Sequence, residues 1–192
     1  MTTNYTLDNL TGKLLIASPN RLMDEVFGKS VIYVTAHSKE GAIGLVVNKM
    51  VNKVPFDVIV KMIDKTPPTV LGGELPIHIG GPVSPERGFL LHSTDYDRNL
   101  MVKCSNNLAI SSNTEILADI ATGNGPKNVM FLLGYTGWNE DQIQEEISQD
   151  LWIVSEPDDE IIFAGDNKTK WQSALKKAGI NDTLFSNHSG FC

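Results

Sequence analysis

Through the first half of the chain apolar residues run in short aliphatic stretches, and later they recur at helical spacing, with glycine or proline at most of the breaks. This pattern predicts strands over residues 13–17, 30–37 and 42–48, the last two joined by a hairpin turn at 38–41. Pro55 suits a first helical turn, and Phe56, Ile59, Val60 and Ile63 then repeat at helical spacing to about Asp64, before the Pro67-Pro68 breaker. A short strand pair is predicted at 100–104 and 107–110 around a Ser105-Asn106 turn, then a helix capped by Ser112 with Glu115 and ended near Gly123. Residues 128–133, continuously apolar after a Pro126 turn, read as a buried central strand. Asn139 with Gln142 starts an acidic helix, 152–154 is a late strand, and Trp171, Leu175 and Ala178 mark a last helix stopped at Gly179.

Two glycine-rich segments interrupt this pattern. After a strand ending at Ile79, Gly80, Gly81 and Pro82 predict a sharp corner, with a second strand restarting at Arg87. Gly134, Tyr135, Thr136, Gly137 and Trp138 predict a loop at the carboxyl end of the central strand, just before a helix start, a location that suits anions. Each segment also has a plainer reading as a turn, with Trp138 packed in a core. Arg87 and His92 could together hold an anionic group, but in a regular strand Arg87, Phe89 and Leu91 share one face and Gly88, Leu90 and His92 the other. Arg87 is therefore expected to pair with an internal carboxylate.

The order of these motifs carries a family resemblance. Leu14-Leu15-Ile16-Ala17-Ser18-Pro19, Ser30-Val31-Ile32-Tyr33-Val34 ending at His37, and Gly41 to Lys49 lead to Ile79-Gly80-Gly81-Pro82-Val83 and Arg87-Gly88-Phe89-Leu90-Leu91-His92; Gly134-Tyr135-Thr136-Gly137-Trp138, an acidic helix and Trp152 follow. This arrangement resembles the YqgE/AlgH family of bacterial proteins from about Gly12 to about Leu184. The resemblance implies an α+β fold, with a branched mixed sheet partly closed into a barrel and helices outside, in a cytoplasmic protein. It implies no particular reaction, and brings with it a label of transcriptional regulator. Where relatives often have Met-Pro after the first strand, this chain has Ala17-Ser18-Pro19, which keeps the turn.

Length and charge narrow the functional classes. At 192 residues and 41% apolar, with no repeat or linker, the chain suits one compact domain, with residues 1–11 and 186–192 as loosely ordered tails. It has two cysteines, Cys104 and Cys192, no basic-then-apolar leader and no apolar run of membrane-spanning length, which predicts a soluble cytoplasmic protein. The net charge of −7 is all C-terminal: residues 1–96 carry nine basic and nine acidic groups, residues 97–192 seven and fourteen. No Lys or Arg lies between Asn128 and Asn167, an acidic stretch that disfavours a phosphate backbone as partner. The one basic cluster with an aromatic is Lys168, Lys170, Lys176 and Lys177 around Trp171, where the tryptophan is expected to face inward and the lysines to solvate.

No familiar reaction chemistry appears. His37, His78, His92 and His188 lack metal-ligand spacing, and 158–160 reads as a solvated acidic turn rather than a calcium loop. There is no phosphate-binding glycine loop, no Gly-x-Ser-x-Gly and no activating motif beside Cys104, so no cofactor, metal or catalytic residue is predicted. The first functional reading is a non-enzymatic cytoplasmic regulatory or interaction protein, with Glu140, Glu145 and Glu146 as an acidic face for a basic partner. The alternative is a binding module or enzyme for a small anionic metabolite, with Gly80, Gly81, Pro82, Arg87, His92, Gly134, Tyr135, Gly137 and Trp138 around one cleft. Transcriptional regulation follows from the resemblance alone.

Overall fold

The computed structural model describes residues 9–19, 21–22, 24–61, 70–98, 100–105 and 107–180. Its strands are β1 (Leu14–Ala17), β2 (Val31–Ser38), β3 (Gly41–Val46), β4 (Met50–Pro55), β5 (Glu74–Ile79), β6 (Val83–Ser93), β7 (Val102–Lys103), β8 (Leu108–Ser111), β9 (Val129–Trp138) and β10 (Trp152–Ser155). The helices are α1 (Phe56–Lys61), α2 (Glu115–Thr122), α3 (Glu140–Ser148), α4 (Asp159–Phe163) and α5 (Lys170–Lys177). An antiparallel path β10-β1-β2-β3-β9-β6-β8-β7 curls into a half-barrel, and β5 joins β9 in parallel with β4 beyond it, giving an α+β single domain.

The branch lies on β9. Phe131 to Leu133 pair with β5, whereas Thr136 to Trp138 pair with β3. At the junction Gly80 N–H donates to Leu133 O at 2.8 Å, and Val46 N–H donates to Gly80 O at 2.9 Å, so one residue bridges β9 and β3.

Alternation along the strands sends residues to different cores. Leu14, Ile16, Tyr33, Leu45, Phe89, Leu91 and Leu132 line the concave side with Trp171 and Leu175 of α5. Leu15, Ile32, Val34 and Val46 turn to the opposite side and pack with Trp138, Trp152 and Ile143 of α3. A third cluster joins Leu90 to Ile116 and Ile120 of α2.

Several expectations need correction. Residues 134–138 are the second half of β9 rather than a loop, because β3 pairs with 136–138 and Val83 of β6 with Tyr135. β6 begins at Val83, before Arg87, and β4 precedes the helix expected from Pro55. The expected end of that helix near Asp64, the Pro67-Pro68 breaker, Asn106 of the 105–106 turn, and most of both tails with His188 and Cys192 lie outside the described residues. The α2 start uses Asn113, whose Oδ1 accepts from Ile116 N–H at 3.1 Å, rather than Ser112. Residues 158–160 start α4, with Asp158 accepting from Glu160 and Ile161 N–H.

Candidate functional site

The site begins with two glycines in contact. Gly134 has φ 70°, the left-handed region, and a Cβ there would lie 2.4 Å from Gly81 O. A Cβ on Gly81 would in turn lie 2.2 Å from the Tyr135 carbonyl, so the corner and the second half of β9 approach backbone to backbone. Val83 pairs with Tyr135 and Gly88 with Leu133, leaving residues 84–87 of β6 opposite Gly134 alone. Ser84, at φ 48°, lies in that bulge, and Arg87 is exposed at its end.

The left-handed residue also reverses the alternation of β9. Before it, Met130 and Leu132 face the concave core; after it, Tyr135 does so, and Trp138 packs on the other side. Both devices converge on an open pocket of about 180 Å³ in the concavity of the half-barrel. Its walls are mainly apolar, including Leu45, Phe89 and Ile110, with Thr35, Arg87 and Tyr135 as polar elements. Ile43, Met101 and Val102 add exposed apolar surface to the lining. A second bulge, between Val34 and Ala36 of β2, brings Thr35 and Ala36 into the wall, and Thr35 Oγ1 donates to Ile43 O at 3.1 Å.

Arg87 is exposed, and its guanidinium carbon lies 5.5 Å from the centre of the Phe89 ring. Phe89 and Tyr135 meet edge to face at 6.1 Å and 86°. Among the described residues no carboxylate pairs with Arg87, contrary to the sequence expectation; its position on the bulge sets it over an aromatic face instead of inside an ion pair. A guanidinium placed over an aromatic ring, with no carboxylate beside it, can donate N–H groups to an anion.

Comparison with known proteins places this architecture. A family model described as AlgH-like matches residues 14–183. The chain belongs to the AlgH-like family. Relatives called UPF0301 proteins, from Rickettsia felis and Rickettsia massiliae, are each 44% identical to it, over 182 and 183 residues, with 95% of both chains covered. The solution structure of AlgH from Pseudomonas aeruginosa aligns with a TM-score of 0.74 and 28% identity, covering 99% of this chain and 100% of that one. A crystal structure from Corynebacterium diphtheriae, 19% identical with a TM-score of 0.66 over 94% and 91% of the two chains, shares the fold.

Within this AlgH-like fold the other candidate residues separate. His92 is fully buried on the face of β6 opposite Arg87: Nδ1 donates to Ser93 O at 2.9 Å, Nε2 accepts from Ser111 Oγ at 3.0 Å, and burial holds its pKa below the usual value. Gly80, Gly81 and Gly134 shape the branch, Pro82 and Gly137 are exposed, and Trp138 is a core residue. Of the nine proposed ligand residues, only Arg87 and Tyr135 line the pocket.

The acidic face of α3 divides as well. Glu146 Oε2 accepts from the indoles of Trp138 at 2.8 Å and Trp152 at 2.7 Å, while its Oε1 accepts from Gln142 at 2.8 Å. It clamps two core tryptophans rather than sitting fully in solvent with Glu145, a correction to the expected face. Glu140 lies 3.4 Å from His37 Nε2, and Glu145 accepts from Gln149.

Two buried groups escaped the sequence reading. Lys170 is only 4% exposed; its Nζ donates to Ile162 O at 2.8 Å and Val47 O at 3.2 Å, and burial lowers its pKa to about 8. The cluster around Trp171 is thus not uniformly solvated. His78 is buried nearby, with desolvation and the Lys170 charge both lowering its pKa. Cys104 is 7% exposed and burial pushes its thiol up to about 12, so it stays protonated. Among the described residues no cluster of His, Cys, Asp and Glu could hold a metal, and no helix is long and apolar enough to cross a membrane.

Proposed function

We propose that this AlgH-like chain is a non-enzymatic regulatory protein of the cytoplasm that works by binding a small amphipathic anion in the half-barrel pocket. The observation that carries this reading is a mainly apolar pocket with an exposed guanidinium and no carboxylate partner for it among the described residues. Such a combination would take an apolar body into the concavity and a negative group onto Arg87.

Binding suits the lining better than catalysis does. The Thr35 hydroxyl is committed to the Ile43 carbonyl, and among the described residues no His, Cys, Asp, Glu or Lys contributes to the lining to act as base or nucleophile. A pocket formed jointly by β2, β3, β6, β7, β8 and β9 touches most of the sheet, so occupation would couple the two sides of the half-barrel. The acidic C-terminal half supports this reading over one based on nucleic acid.

The test is a thermal-shift screen of the wild type, Arg87→Met and Ala36→Leu with short acyl and aromatic carboxylates at constant ionic strength. Ala36 is exposed while lining the pocket, so leucine there fills the opening with little cost to folding. Stabilisation of the wild type by at least one carboxylate, lost in both variants, is the expected result. Equal shifts in all three proteins would refute the pocket as the binding site.

A further inference from the structure

Resting on the pocket reading above, we infer that the preferred occupant is a single-ring aromatic monocarboxylate, with its ring in the half-barrel and its carboxylate on Arg87. Size gives the first argument. The pocket measures about 180 Å³. A cavity of about 150 Å³ lined by apolar side chains holds one benzene, whereas sites for drug-sized ligands run from about 300 Å³. The sheltered part of the pocket therefore fits one ring with a small substituent.

The second argument is the chemistry of the wall. Phe89 and Tyr135, both in the lining, stand nearly perpendicular, and a third ring can extend this edge-to-face packing. Met101, half exposed at the pocket, adds a polarisable thioether suited to an aromatic edge. Leu45 and Ile110 close the wall with aliphatic surface, where a polar substituent would find no partner.

Charge fixes the remaining group. Among the described residues Arg87 is the single cation in the lining, and no acid accompanies it. One guanidinium matches one carboxylate through two parallel N–H donors, whereas a phosphate dianion would be left half neutralised. The contact with Phe89, 5.5 Å from guanidinium carbon to ring centre, favours this position of the guanidinium before the ligand arrives, which lowers the ordering cost of binding the carboxylate.

Calorimetric titration of the wild-type chain with benzoate, benzamide and octanoate tests this without relying on any variant. Benzoate is expected to bind at least about tenfold more tightly than neutral benzamide of the same shape, and more tightly than octanoate. Arg87→Met should abolish the preference for benzoate over benzamide. If octanoate binds in the pocket and benzoate does not, the single-ring assignment is overturned while the binding-module reading stands. If none of the three binds and the carboxylate screen is also blank, both readings fall. Equal affinity for benzoate and benzamide would overturn the role of Arg87 as the carboxylate partner.

Discussion

Arg87 and Lys170 illustrate how a side chain's setting decides its chemistry. Both are cationic in sequence, yet Arg87 is held in the open above an aromatic ring, while Lys170 is sealed between two backbone carbonyls. Burial lowers the Lys170 pKa from 10.5 to about 8, so at neutral pH the folded chain carries the full cost of a buried ammonium. Between about pH 8 and 10.5 the folded amine has released its proton and the unfolded one has not. The contribution of Lys170 to stability therefore rises with pH across that window. Urea unfolding at pH 7.5 and 9.5 should show wild type gaining roughly 1–2 kcal/mol relative to Lys170→Met at the higher pH, and parallel behaviour would contradict this. The comparison with the variant matters because Cys104, raised from 9.0 to about 12, works in the opposite direction above pH 9 in both proteins. The sequence carried no sign of Lys170's burial, since helical spacing set it beside a cluster of lysines and its partners, Val47 and Ile162, are remote or lie on another helix.

At the scale of elements, β9 is the organising strand, and its behaviour turns on Gly134. The apolar run before it was legible as a buried central strand, and Asn139 was legible as the next helix cap, accepting from Gln142 N–H at 2.8 Å. The glycines themselves read as loop, because nothing local indicates that β3 will pair with 136–138. Parity correctly separated Arg87 from His92, which lie on opposite faces of β6, but it could not foresee the bulge that ends at Arg87. The backbone contact predicts that Gly134→Ala and Gly81→Ala each destabilise the fold by roughly 2–4 kcal/mol, read as a lower urea midpoint with unchanged slope. A loss under about 0.5 kcal/mol would show that the branch tolerates a side chain. On α3, Glu146→Ala leaves two buried indole donors without their acceptor and should cost roughly 2–4 kcal/mol. Glu145→Ala, on exposed surface, should stay within about 0.5 kcal/mol in the same assay. Charge reversal at both positions together would therefore report on folding as well as on any partner.

Among the described residues, the half-barrel distributes its apolar surface into three clusters and carries an open concavity. Motif order identified the family and the α+β branched sheet, because short aliphatic strands, glycine corners and capped helices are local signals. The pocket was less legible: Thr35, Leu45, Phe89, Met101 and Ile110 come from four strands and a connecting segment, and only the closing of the sheet brings them together. Arg87 and Tyr135 were singled out for their chemistry and share the pocket through two local departures from regular strand geometry, the β6 bulge and the left-handed Gly134. The two glycine segments thus act as geometry, and the side chains they aim carry the proposed contacts.

The central claim is that this concavity binds a small amphipathic anion through Arg87. Its most direct test is a two-dimensional amide NMR titration of the full chain with benzoate at fixed salt, repeated with Arg87→Met. Saturable shifts concentrated at Thr35, Ala36, Ile43, Met101, Val102 and Tyr135 are expected, with their loss in the variant. Shifts centred instead on α3 or around His92, or pocket shifts that persist undiminished in Arg87→Met, would contradict it.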